Sequence, residues 1–442
     1  MKIANYEDTG LDRIESWIAL NSKEKITECD LRECLKSINV SFVLEEIDRV
    51  QSTLICELKD SYVQQSQRYV TVKDNSFILP ELNYEDSKKA EALITKTFEL
   101  YNKMSKHKDG DFKGRPKVEN YLHGIPIEDA RYILPLATKT NVSVSMSANK
   151  LVDLFYLMND KKYANNLNNI KIELVKLLPN ELSSLLLNIT QDYNSKSIEN
   201  FYKDEFKKIN HDNNMVLLNA FSNSDLKVGL GAITSTQGKT PSEVLGTWGD
   251  EAAKKAQGVT DRVLGYGHDS IAEQARTTFG MMCSMVTYHQ QIRHRLSENH
   301  REELFNIIRD IDRQVVIPET IKESIFCKEI EELICEFKSF RFYIAEKYGE
   351  DKALKFILNC DQVKLIISTN ARIDIKMLAD RICLNAQWEI RELATKKLEI
   401  LRKLSPVLYI NALPSCVYGK CKEGKLTCGK QLFMREKFSL QK

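Results

Sequence analysis

Apolar residues recur at helical spacing through most of this chain, broken by short apolar runs of strand length. The clearest helical pattern runs from Ala386 to about Leu404, with Ala386, Ile390, Leu393, Leu398 and Leu401 as its apolar positions. Pro406 lies just past its end, where a residue lacking an N–H donor stops a helix. A polar stretch from Asp192 to Asn214, rich in Asn, Lys and Asp, reads as a connector or an exposed helix. Val216-Leu217-Leu218 then opens a strand. The pattern therefore places a boundary near residue 215, with modules at 1–215 and 216–442. No run of about 18 apolar residues occurs, so no transmembrane helix is expected. The opening MKIANYEDTGLDRIE lacks the apolar core of a secretory signal.

Composition narrows the class. The 442 residues leave room for two or three domains with ample core. Lys plus Arg number 64 against 62 Asp plus Glu, a formal charge of +2. That balance argues against a nucleic-acid coat while allowing a local basic pocket. The 11 cysteines are odd in number and scattered, which fits reduced thiols in a cytoplasmic protein better than a secreted disulfide scaffold. Three of them, Cys416, Cys421 and Cys428, form a C-terminal tail with Gly419, Gly424 and Gly429. Thiolates beside glycine turns can ligate zinc, but no CxxC pair and no fourth ligand is evident, so no metal is expected.

The densest polar cluster is His289 to Asn299, containing Gln290 and the tripeptide Arg293-His294-Arg295. Guanidinium forks suit phosphate and other anionic oxygens, although the same tripeptide also suits a solvated helix end. Gly267-His268-Asp269-Ser270 lets backbone approach a ligand closely, or caps the segment that follows. Asn370-Ala371-Arg372, Arg381 and Ala386-Gln387-Trp388-Glu389-Ile390 follow downstream, where surface ion pairing is the alternative reading. In the first half, Ser66, Arg68, Tyr69 and Ala130-Arg131-Tyr132-Ile133-Leu134-Pro135 could hold a phosphate or line an exposed turn.

Taken in order, these pieces resemble the flavin-dependent thymidylate synthase (ThyX) family. That family's signature reads Gln, two residues, Arg-His-Arg, two residues, Ser, one, Asn, two, Ser, one, Arg-Tyr. A Gly-His-x-Ser-like element stands upstream, and Ala-Arg-x-x-Leu-Pro, Asn-x-Arg, a further arginine and Ala-Gln-Trp-Glu-Ile stand downstream. The second half keeps Gly267-His268 to Glu273, Gln290, Arg293-His294-Arg295, Asn370-Ala371-Arg372, Arg381 and Ala386 to Ile390. It lacks the Ser-x-Arg-Tyr, runs one residue short after Arg295, and reads Leu354 to Asn359 where the arginine before Leu-Pro belongs. The first half has the opposite losses. It keeps Ser61, Ser66, Arg68, Tyr69 and Ala130-Arg131-x-x-Leu134-Pro135, but has Cys56-Glu57-Leu58 for Arg-His-Arg and Ser147-Ala148-Asn149 for Asn-x-Arg. The chain thus resembles a tandem duplication with complementary decay.

The resemblance implies an α+β fold of two ThyX-like modules, each a small mixed sheet flanked by helices. It implies reductive methylation of dUMP to dTMP, with FAD, NADPH as reductant and methylenetetrahydrofolate as co-substrate. By carry-over, Ser66, Arg68 and Arg131, with Gln290 and Arg293, would bind the nucleotide. His268, Ser270, Arg293, His294, Arg295, Asn370 and Arg372 would bind the flavin. Arg381 would contact the uracil and promote its ionisation. Family members assemble sites across a homotetramer, so two duplicated chains would form a pseudo-tetramer. Gln64, standing where the family usually has Glu, keeps two alternatives open. One is a non-catalytic flavin- or nucleotide-binding protein, the other a flavoenzyme acting on another pyrimidine nucleotide.

Overall fold

The computed structural model describes residues 1–21, 23–108, 117–191 and 195–438. Asp192 to Asn194, at the head of the polar stretch, lie outside them.

Both halves of the sequence build the same kind of sheet. The first contains β1 (Lys2–Asp8), β2 (Asn39–Asp48), β3 (Ser61–Gln64) and β4 (Lys139–Ser147), in the order β1-β2-β4-β3. The second contains β5 (Met215–Ala220), β6 (Arg276–Ser284), β7 (Glu298–Arg301) and β8 (Gln362–Asn370), in the order β5-β6-β8-β7. The pairs β1–β2, β2–β4, β3–β4, β5–β6 and β7–β8 are antiparallel. In β4 the side chains alternate, with Thr140, Val142, Val144 and Met146 buried between exposed Asn141, Ser143 and Ser145. Burial runs almost unbroken along β6 and β8, as in strands covered on both faces.

The helices that matter for the site are seven: α1 (Arg49–Cys56), α2 (Tyr84–Met104), α3 (Ser195–Lys207), α4 (Met285–Gln291), α5 (Cys327–Tyr348), α6 (Ala371–Arg381) and α7 (Trp388–Leu404). Side chains fix where several begin. Asp48 and Gln51 form a capping box on α1. Ser284 caps α4, Asn370 caps α6 and Gln387 caps α7, each accepting a backbone N–H from the first turn. The C-terminal helix thus starts two residues later than the apolar periodicity indicates, because Gln387 leaves the helical conformation to serve as its cap.

Part of the polar connector is α3, an amphipathic helix. Its Tyr202 and Phe206, with Val216 and Leu218 of β5, pack on a cluster of Ile209, Met282 and Ile366. Gly280 makes this approach possible, since a Cβ there would stand 2.6 Å from the Ile209 side chain.

The chain forms two compact units that do not follow the sequence halves. One comprises residues 1–195, 284–293 and 303–362, and the other 196–283, 294–302 and 363–442. In the first unit, residues 355–361 form a backbone junction. Leu136 N–H donates to Ile357 O at 2.8 Å and Asn359 N–H to Leu134 O at 2.9 Å. Met285 N–H donates to Asp361 O at 2.9 Å and Val286 N–H to Asn359 O at 3.2 Å. These bonds fix the start of α4 beside the Arg131–Leu136 turn.

Arg341 of α5, fully buried, braces the junction by pairing with Asp361 and donating to Ile307 O at 3.0 Å. Asp361 also accepts the Leu358 N–H at 2.7 Å. Removing one member of such a pair strands a buried charge. Asp361→Ala is expected to lower unfolding free energy in urea by about 3–5 kcal/mol. The double variant Arg341→Met/Asp361→Leu is expected to lose less than the single one, and an equal or larger loss would contradict the argument.

Candidate functional site

The first unit concentrates cationic groups around the turn that follows β3. There Ser66 Oγ accepts the Arg68 N–H at 3.1 Å, tightening the turn. Arg68 Nε donates to Glu128 Oε2 at 2.7 Å. Arg131, 7 % exposed, donates from Nε to the Glu128 carbonyl at 3.1 Å. Asn359 Nδ2 donates to Arg131 O at 3.0 Å and lies 3.4 Å from Gln67 Oε1. Arg131 Nη2 and Gln67 Nε2 are buried donors without an acceptor among the described residues. Buried polar groups are nearly always satisfied, so a pair of orphaned donors beside one guanidinium has the chemistry of an anion pocket.

A further buried guanidinium lies in the same unit. Arg49 opens α1 and is 4 % exposed. Its Nη2 lies 2.6 Å from His289 Nδ1, and His289 Nε2 lies 2.6 Å from Thr53 Oγ1. The Thr53 hydroxyl donates to Arg49 O at 2.6 Å. Its oxygen therefore accepts from His289, which fixes the neutral Nε2–H tautomer with Nδ1 accepting from Arg49. Burial, then the Arg131 and Arg293 charges, push Arg49 down to about 9. Burial, with Arg68 adding to it, pushes Arg131 down to about 10. Burial and the Arg49, Arg131 and Arg293 charges hold His289 well below the usual imidazole range. Gln290, buried on α4, donates to Val286 O at 3.3 Å.

The second unit carries the remaining motif residues. His268 and Ser270 are exposed beside Gly267, whose φ of +83° only glycine adopts readily. Arg372 pairs with Glu273 at 2.6 Å and Asp269 at 3.1 Å. Asn370 Oδ1 accepts the Ile373 N–H at 3.0 Å as the α6 cap, which leaves the amide NH2 as its donor. Arg381 Nε donates to His294 Nε2 at 2.8 Å. Arg295, partly buried, follows directly. Arg68, Arg131, Gln290 and Arg293 thus share the first unit, and His268, Ser270, His294, Arg295, Asn370, Arg372 and Arg381 the second. Among the described residues, no three His, Cys, Asp or Glu side chains are placed to hold a metal ion. No helix among them is long and apolar enough to cross a membrane.

The family described as thymidylate synthase complementing protein matches residues 24–180 and again 216–407. The chain belongs to this family. The successive matches fit a tandem duplication of the ThyX module. Among similar proteins is a flavin-dependent thymidylate synthase of Thermococcus kodakarensis, 36% identical over 191 residues, covering 41% of this chain and 78% of the relative. The enzyme of that name from Clostridium tetani is 30% identical over 207 residues, covering 42% and 82%. A crystal structure of Helicobacter pylori ThyX complexed with FAD and dUMP aligns with 45% of this chain and 99% of its own, at 16% identity and a TM-score of 0.36.

Beyond the ThyX motif positions, the structure adds Arg49, His289, Gln67 and Asn359 to the cationic cluster. Arg49 left one trace in the sequence, as the single charged residue of the run Arg49 to Cys56. His289 yields a direct test. Its folded-state proton affinity lies below the unfolded value of about 6.5, so its contribution to stability is present above that pH and lost as pH falls. Unfolding free energy is expected to drop between about pH 6.5 and 5.5 by up to about 1.4 kcal/mol per pH unit on account of this one proton. His289→Gln should flatten that slope in urea titrations, and an unchanged slope would show that His289 is not held neutral.

Proposed function

We propose that this chain is a flavin-dependent thymidylate synthase, converting dUMP to dTMP with methylenetetrahydrofolate as carbon donor and NADPH as reductant. The observation that carries this reading is that the buried donors Arg131 Nη2 and Gln67 Nε2, in a cationic cluster of a ThyX-family chain, have no acceptor among the described residues. A phosphate dianion supplies the acceptors these donors lack. Ser66, Arg68 and Arg131, with Gln290 and Arg293, bind the nucleotide in this proposal.

The second unit's donors suit FAD in kind. His294, Arg295, Arg372 and the Asn370 amide NH2 match a pyrophosphate and flavin carbonyl oxygens, and His268 and Ser270 lie on an exposed loop. When bound, the flavin supplies hydride transfer. The protein's part is orientation and charge. Arg381, steadied at Nε by His294, stabilises negative charge developing on the pyrimidine ring, so that C5 becomes nucleophilic. We further propose a cytoplasmic homodimer in which two duplicated chains do the work of four single-module subunits.

One observation favours a second reading, a flavin- or nucleotide-binding protein without turnover. Arg372 is already paired with two carboxylates, Asp269 and Glu273, which compete with an anionic cofactor. Product analysis separates the readings. Full-length protein with FAD, NADPH, methylenetetrahydrofolate and dUMP, kept anaerobic, is expected to form dTMP. Bound FAD without dTMP would favour the second reading. Arg131→Ala is expected to weaken dUMP binding by roughly 10- to 100-fold, the worth of a charge-assisted hydrogen bond, while FAD absorbance of the purified protein is retained. Unchanged dUMP affinity in calorimetry would remove the phosphate assignment.

A further inference from the structure

Arg49 occupies no ThyX motif position, yet its environment is costly. The guanidinium is buried, and Nε has no acceptor among the described residues. Its partner is an imidazole, with His289 Nδ1 at 2.6 Å, where a buried arginine ordinarily meets a carboxylate. Thr53 locks that imidazole in its neutral form from the other side, at 2.6 Å. The arrangement holds Arg49 rigidly and leaves its charge uncancelled. The Arg49 backbone is tied to the same turn as Arg131, its N–H donating to Leu136 O at 2.9 Å. The Arg131 charge thereby bears on the buried Arg49, and while Glu128 and Asp129 act favourably on Arg131, the Arg49 charge is unfavourable until an anion joins it.

We propose that Arg49, held by His289 and Thr53, is a positioning residue whose uncancelled charge draws a dianionic nucleoside 5′-monophosphate onto Arg131 and Gln67. The inference rests on the reading that Arg131 and Gln67 hold the nucleotide phosphate. His289 is the crossbar that fixes the guanidinium without neutralising it. A glutamate in its place would hold Arg49 equally well and cancel the attraction.

The duplication explains how such a pair can exist. Helices α1 and α4 each follow the second strand of their own sheet, β2 and β6. Two identical copies would bring the same residue types to both helices. In this chain the first copy carries Arg49 and Thr53 and the second carries His289, so the positive charge is introduced once.

The test uses the full-length protein, with dUMP affinity by calorimetry and thermal midpoint in phosphate-free buffer. Arg49→Met removes the charge and keeps most of the volume. Its dUMP Kd is expected to rise about tenfold or more, with a weaker dependence on salt. Its midpoint without nucleotide is expected to be unchanged or higher, because an uncompensated buried charge is gone. Arg49→Lys, which keeps the charge, is expected to recover most of the affinity. Unchanged affinity in Arg49→Met, alongside a loss in Arg131→Ala, overturns the role of Arg49 and leaves the phosphate reading standing. Unchanged affinity in both overturns the reading itself. A lowered midpoint with native affinity makes Arg49 a structural residue and also overturns the proposal. Should Arg49→Met fail to fold, Arg49→Lys decides: near-native affinity supports the proposal, and a loss as large as that of Arg131→Ala overturns it.

Discussion

Buried arginine is the constraint around which the first unit is organised: Arg49 is paired with an imidazole, and Arg131 has the Glu128 and Asp129 charges beside it. Arg131 and Arg49 are both nearly excluded from solvent, and each lowers the proton affinity of its surroundings. Such groups stay in place only if the scaffold over-determines them. The scaffold does so with backbone. The junction at residues 355–361 receives hydrogen bonds from both the Leu134–Ala137 segment and the start of α4, and Arg341 with Asp361 pins it from beneath. Asn359 then fixes the Arg131 carbonyl, and His289 fixes Arg49. The stability that rigid packing contributes is partly offset by charge crowding at one place, a common arrangement where an anionic ligand is to be received.

Tandem duplication gives this chain a freedom that an oligomer of one short subunit lacks. In a symmetric assembly every copy must carry every functional residue, and every interface residue meets its own kind or a fixed partner. Here the two ThyX modules keep the same strand order but have lost complementary pieces of the signature. The first retains Ser66, Arg68 and Arg131, and the second retains Arg293-His294-Arg295, Asn370, Arg372 and Arg381. The first compact unit borrows α4 and residues 303–362 from the second half, so Gln290, Arg293 and Asn359 lie in the same unit as Arg131. In the proposed assignment, loss of the arginine before Leu-Pro in the second module is tolerable because the first module still supplies Arg131.

Much of this was readable from the residues, and the limits are physical. The strand at Val216-Leu217-Leu218 and the long helix ending before Pro406 follow from periodicity and stop signals, which are local. Arg68 and Arg131 stand out because their motifs are short and ordered. The helical half of the polar connector was harder, because its apolar face of Tyr202 and Phe206 is narrow and becomes visible only against Ile209, Met282 and Ile366. Arg49 paired with His289 was out of reach, since the two lie far apart in sequence and neither sits in a spaced motif. The same holds for Asn359, whose role depends on a junction made by tertiary hydrogen bonds.

The central claim is that duplication has left one phosphate-binding cluster per chain, the one around Arg131. Binding stoichiometry tests it most directly. Calorimetric titration of dUMP into full-length protein of known active concentration is predicted to reach one nucleotide per chain. Two equivalent nucleotides per chain would contradict the account, because the second module would then hold a phosphate without the arginine it lacks.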